Sequence, residues 1–185
     1  MKMKKRYGWG LIVILIVGYF GPSAFGGYYW TEHAAIWDTF PNQSGEVVAE
    51  KEFGTKKLII WDSEPRDYVK LIEKHAGLLY RAADITPMDV QAANGDLRVT
   101  WSATEMESGM YEVIFAAEVL DEEIEKVIVS KEEESRESIV SSNERAASAE
   151  NVVEIEVEKG YAIHYTTLPA AETGDFVFQG IDAGR

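Results

Sequence analysis

Val153-Glu154-Ile155-Glu156-Val157-Glu158 leads through Lys159-Gly160 into Tyr161-Ala162-Ile163-His164-Tyr165-Thr166-Thr167. β-Branched residues alternate with glutamates in the first half, the period of a strand with one buried face, and the aromatic second half reads as its partner. Loop length sets the register between them. A two-residue loop at Lys159 and Gly160 opposes Glu156 to Ile163 and mixes the faces. A three-residue loop ending in Gly160 opposes Val157 to Tyr161, Ile155 to Ile163 and Val153 to Tyr165, which keeps apolar side chains together. The second register is therefore expected. It sets His164 across from Glu154, a pair that would raise the histidine pKa and makes His164 and Glu154 a pH-sensing candidate.

Upstream, Tyr111, Val113, Phe115 and Ala117 alternate with Glu112, Ile114, Ala116 and Glu118 as a long strand, and Ile124–Ser130 gives another after an acidic turn. Asn94-Gly95 is the pair preferred in a tight turn needing positive φ at both positions, so it predicts a hairpin opposing Val90 to Val99, Gln91 to Arg98 and Met88 to Trp101. Val47–Phe53 and Lys57–Trp61 flank Gly54-Thr55 as a further hairpin, and Leu78–Ala83 and Phe176–Ile181 read as strands. Between them, Ser63 can cap a short helix. Val69, Ile72 and Ala76 recur at helical spacing, and Lys74, His75 and Gly77 suit its end. The expectation is a mainly β, α+β ectodomain of antiparallel hairpins, a small sheet or sandwich over residues 46–185. It carries one short helix and an acidic, serine-rich mobile loop at 131–151.

At the other end of the chain, Lys2, Lys4, Lys5 and Arg6 precede the seven aliphatics Leu11–Val17, and no acid occurs before Glu32. From Tyr7 to Thr31 the chain is free of charge for 25 residues, more than the ~20 that cross a bilayer core. Tyr7 and Trp9 bracket one side, and Tyr28, Tyr29 and Trp30 the other, as membrane-interface aromatics do; the bases fix the amino terminus inside. Residues 1–30 are therefore expected to be a signal-anchor, a single transmembrane helix in the cell membrane with the C-terminal domain outside. Residues 31–45 would be a juxtamembrane linker. In the alternative the segment is a signal peptide cut near Gly26, after Ala24, and the protein is secreted. Asn42, Gln43 and Ser44 match a glycosylation sequon, a short motif more often met by chance in a loop.

With 18 bases and 32 acids the net charge is −14, and since four bases lie in the anchor the remainder carries 14 bases against 32 acids. So acidic a surface repels nucleic-acid phosphate, which excludes that partner. The absence of cysteine excludes disulfide frameworks, thiolate metal sites and cysteine nucleophiles. No glycine-flanked nucleophile elbow or phosphate-cradling loop occurs, and His33, His75 and His164 are isolated, so no catalytic residue and no cofactor is assigned. Asp121, Glu122, Glu123 and Glu125 crowd one turn and offer oxygen ligands for a weak divalent cation such as calcium. A solvated acidic face is the simpler account.

The strand Tyr111–Glu118, the turn Asp121–Ile124 running into Lys126–Val129, the strands Val152–Val157 and Tyr161–Tyr165, the closing Gly180-Ile181-Asp182, and the upstream run from Lys57 through Gly77-Leu78-Leu79-Tyr80-Arg81 resemble, in pattern and spacing, a group of small uncharacterised exported or membrane-anchored proteins of Gram-positive bacteria. The resemblance spans Val47 to Asp182. It implies a mostly β ectodomain, no established activity and no site residues.

Three functional classes follow. The first is a non-enzymatic, membrane-tethered interaction or accessory module contacting an envelope protein, with Trp37, Trp61, Trp101 and Tyr80 as candidates for an exposed aromatic patch. The second is a cation- or pH-responsive ectodomain using the acidic turns and His164. The third is a secreted hydrolase with an unrecognised carboxylate site.

Overall fold

A computed structural model describes residues 4–41, 44–92, 95–131 and 153–182 of the chain. The loop expected at 131–151 falls almost wholly outside these residues, as do Asn42 and Gln43 of the sequon and Asn94 of the predicted turn. The described residues build a mainly β structure of three antiparallel sheets. The first holds β1 (Glu46–Phe53), β2 (Lys56–Asp62), β3 (Tyr68–His75) and β4 (Leu79–Pro87) in chain order. The second sheet runs β10 (Tyr161–Pro169), β7 (Met110–Val119), β6 (Leu97–Glu105) and β5 (Val90–Gln91). The third runs β11 (Phe176–Asp182), β8 (Ile124–Lys131) and β9 (Val153–Glu156).

The second sheet is the middle layer, and β7 shows why. Val113, Phe115 and Ala117 pack with Val127, Val129, Ile155 and Phe178 of the third sheet, while Ile114 and Ala116 meet Leu58, Ile60, Val69 and Leu71 of the first. A strand covered on both faces must be apolar at every position, which is why residues 113–117 are all buried. The predicted hairpin before β6 is present, with Val90 opposite Val99, Gln91 opposite Arg98 and the Ala92 N–H donating to the Leu97 carbonyl. Met88 does not join it opposite Trp101; it is buried between the first two sheets.

The helix expected after Ser63 is strand β3. Tyr68, Lys70 and Ile72 face outward from the first sheet and Val69 and Leu71 inward, and both faces are covered. Burial on both sides fills the polar positions of the alternation, and the resulting apolar run mimics helical spacing. The short helix lies instead at α2 (Glu32–Trp37), inside the stretch expected to be an irregular linker. Thr31 caps it, its hydroxyl accepting from the Ala34 N–H, and Ala35 and Ile36 pack onto Ile59, Trp61 and Ile72. Residues 32–37 are helical rather than irregular because α2 covers the outer face of the first sheet.

The opening hairpin is also corrected. Glu158 and Tyr161 form an antiparallel bridge across Lys159 (φ 56°) and Gly160 (φ 84°), so the loop has two residues. The mixed faces that argued against this loop do not arise, because the strands part after one bridge. β9 pairs with β8 in the third sheet and β10 with β7 in the second.

N-terminal to α2, α1 (Lys4–Gly26) is a continuous helix whose described side chains from Trp9 to Phe20 are largely exposed and apolar on every side. Among the residues whose side chains are described, no helix is long and apolar enough to cross a membrane. The helix ends before the expected residue 30. Gly27 turns at φ 64°, and Tyr29 then pairs its backbone with Tyr80 of β4 through bonds of 2.7 and 2.8 Å.

Gly45 carries the chain from α2 into β1 over the Trp61 indole. A Cβ there would lie 2.0 Å from the Asp62 carbonyl oxygen and 2.6 Å from Trp61 Nε1. Gly45→Ala is expected to lose roughly 2 kcal/mol of stability through overpacking, measured by urea denaturation; an unchanged midpoint would show that the strand entrance yields freely.

Candidate functional site

Among the described residues, β1, β10 and β9 are each the outermost strand of their sheet, and all three edges border one groove. It encloses about 370 Å³, within the range of small-ligand and peptide pockets. Val47, Val48 and Ala49 line one wall, and Tyr161 and Ile163 lie opposite. The β1 ladder shifts register between Val47 and Ala49, leaving Val48 as the extra residue of a bulge; bulges of this kind bend an edge strand and re-aim its side chains. At the rim Lys51 meets Glu158 at 3.6 Å, with Glu50, Glu156 and Lys159 beside them. An edge strand leaves alternate backbone N–H and C=O groups without ladder partners. The arrangement can therefore receive an extended segment by strand addition, with the rim charges fixing its direction.

Two charged clusters tie the first sheet to the second at opposite ends of β3. At the His75 end, Lys56 Nζ binds Glu73 at 2.9 Å and also Glu112, whose carboxylate accepts from the Tyr165 hydroxyl at 3.0 Å. Burial would lower the Lys56 ammonium, but its bonds to Glu112 and Glu73 more than offset this and raise it. For Glu73, burial pushes the carboxyl up, and Lys56, His75 and Arg81 outweigh it and hold it below the ordinary range. At the other end, Arg98 reaches Asp67 at 3.0 Å and pairs with Glu118. Burial raises the Asp67 carboxyl there, against the pull of Arg98.

A third polar element fixes α2. The Lys70 side chain is fully buried, and its ammonium donates to the carbonyls of Ile36 (2.7 Å), Pro41 (3.1 Å) and Thr39 (3.3 Å) beneath the Trp61 ring, 4.4 Å away. Burial lowers this ammonium to about 8. Sequence reasoning passed over Lys70. A lone lysine inside Tyr68-Val-Lys-Leu-Ile72 was its signal, since a base in a buried strand needs acceptors.

The expected site residues fall in different places. His164 stands opposite Phe115 in β10 and near Phe53, whereas Glu154 pairs with Lys126 in the third sheet, so the proposed ion pair does not exist. Burial, and then Lys51, lower the His164 pKa instead of raising it. The sign of any pH effect is thereby reversed: a histidine held neutral in the fold costs stability as pH falls below its ordinary range. Asp121 accepts the Glu123 N–H at 3.0 Å, and Glu122, Glu123 and Glu125 are exposed. Among the described residues, no group of three or more His, Asp or Glu side chains is placed to hold a metal ion.

The aromatic expectations divide in the same way. Trp37 packs edge-on against the fully buried Trp61 at 4.8 Å, and Trp101 against Phe176 at 5.1 Å, so these are core aromatics, as is Tyr80 beside the α2 cluster. Of the membrane-interface candidates, Tyr29 also packs into that cluster, and Tyr28 lies 5.0 Å from the His75 ring with the Arg81 guanidinium 5.5 Å from its own. Trp9 and Trp30 are exposed, and the Tyr7 side chain lies outside the described residues. Comparison of the chain with known protein families, curated proteins and solved structures finds no match.

Proposed function

We propose that the protein is a non-enzymatic, membrane-tethered binding module, held by α1 with its β domain outside the cytoplasmic membrane, and that the three-edged groove receives an envelope protein. The observation that carries this reading is the pairing of a helix whose described side chains from Trp9 to Phe20 are apolar on every side with a β domain whose groove is bordered by three strand edges that no described strand covers. The helix has 23 residues, and its uncharged part from Tyr7 to Gly26 is about 30 Å long at 1.5 Å per residue, matching the ~30 Å hydrocarbon thickness. The bases at Lys2 to Arg6 orient its amino terminus inward.

Fractionation of cells producing the chain with a C-terminal tag tests the tether. The expected product is full-length, membrane-bound, and loses its tag to external protease. A shorter product released to the medium would mean cleavage near Gly26 and would remove the tether. For the groove, a photocrosslinking residue at Lys51 is expected to give a discrete adduct in intact cells, and one at the exposed turn residue Glu107 none. Equal labelling at both positions would count against the groove as the binding face.

A further inference from the structure

Resting on the tethered reading above, we infer that the tip of the β3–β4 hairpin is a lipid-contacting surface, with Leu78 entering the interfacial layer of the outer leaflet and Lys74 meeting lipid phosphates. The C-terminal end of α1 does not leave the domain through a free linker. The Tyr28 N–H donates to the Pro22 carbonyl at 3.1 Å, Tyr28 stacks edge-on against His75 in the last position of β3, and Tyr29 bridges Tyr80 near the start of β4. The Trp30 indole reaches back to the Tyr19 carbonyl at 3.0 Å, so this exposed aromatic lies alongside the last turns of the helix. A bilayer that holds α1 to this depth therefore holds the hairpin tip against its headgroups.

The tip has the side chains for that position. Ala76 and Gly77 turn the chain with φ of 49° and 72°, and Leu78 follows them 66% exposed. Lys74, His75 and Arg81 flank it, in a domain otherwise dominated by acids. Glu73 engages His75 at 3.1 Å and Arg81 at 3.3 Å, while Lys74 lies over the Tyr80 ring at 5.6 Å. An apolar residue ringed by bases beside an apolar helix complements the acyl boundary and the phosphate layer of a membrane. Orientation follows. β3 has eight residues, about 26 Å at ~3.3 Å each, and runs from the membrane end at His75 to the Asp67–Arg98–Glu118 cluster. Residue 118 pairs with Tyr161 of the groove wall, so the groove is held away from the bilayer, facing the envelope.

Because the chain has no cysteine, single cysteines at Leu78, Leu15 and Glu122 each accept a nitroxide label at one place, in the full chain reconstituted into phosphatidylcholine–phosphatidylglycerol bilayers. Glu122 lies in the exposed turn beyond the opposite end of β7 and serves as the aqueous reference. Collision rates with dioxygen and with a water-soluble nickel chelate are expected to place residue 15 deep, residue 78 in the interface and residue 122 in water. Residue 15 deep with residue 78 as aqueous as 122 would overturn this inference and leave the tether intact. Residue 15 in water would overturn the tether and the inference with it.

Discussion

Lys70→Ala is expected to lower the unfolding free energy by about 4 kcal/mol, combining the lost methylenes of a fully buried side chain with carbonyl acceptors left unsatisfied. For a chain of this size that is a fall in melting temperature of about 8–16 °C. Lys70→Met restores the volume but not the donors and is expected to recover roughly half of the loss. A methionine variant as stable as the parent would show that the three carbonyls are served by water and that the ammonium is not what holds α2.

The pH dependence provides a second test with a definite sign. Burial lowers the Lys70 ammonium to about 8, while an unfolded lysine titrates near 10.4. Between these values the unfolded chain binds a proton that the folded chain has released, so stability rises from pH 8 toward 10. Below pH 8 both states are protonated and this slope vanishes. Lys56, Lys57, Tyr161 and Tyr165, whose folded pKa values are raised, act against stability only at and above their ordinary ranges near 10. Urea denaturation across pH 7.5–9.5 should therefore show a rise in the parent that Lys70→Met lacks. A parent curve that is flat or falling would contradict it.

Lys56→Met is expected to cost about 3 kcal/mol by stranding the Glu112 carboxylate, which has only 16% of its side chain exposed and keeps the Tyr165 hydroxyl as partner. Breaking a fully buried pair typically costs 3–5 kcal/mol, and the residual solvent access and remaining bond place this one at the lower end. Glu73 is less affected because Arg81 and His75 still reach it. Adding Glu112→Gln should return most of the loss, giving a coupling energy of at least ~1 kcal/mol in a double-mutant cycle. Additive single and double variants would show that the cluster does not join the sheets as described.

Alternation made most strands legible from sequence. In Tyr111–Glu118 the apolar residues continue through both phases, and in Val153–Glu156 they keep to one, so the strands could be placed without their partners. The Asn94-Gly95 turn likewise carried its register, because a two-residue loop leaves one pairing that keeps faces consistent. Of the candidate site, the strands that hold Lys51, Glu156 and Ile163 were legible from alternation, but nothing in their spacing marks those residues as neighbours.

Periodicity reports which faces of a segment are buried, and here that was enough to establish a mainly β domain behind an apolar N-terminal run. It does not report against what they are buried. Val69 and Ile72 took helical spacing because β3 is covered by the middle sheet on one side and by α2 on the other. Lys70 was tolerated there because carbonyls from residues 36, 39 and 41 converge on it. The pairing of β9 with β8 rather than β10, the separation of His164 from Glu154 and the meeting of three strand edges in one groove were decided by tertiary structure alone. Local pattern constrains each strand's faces, but its hydrogen-bonding edges are satisfied by whichever distant strand completes a sheet that buries those faces.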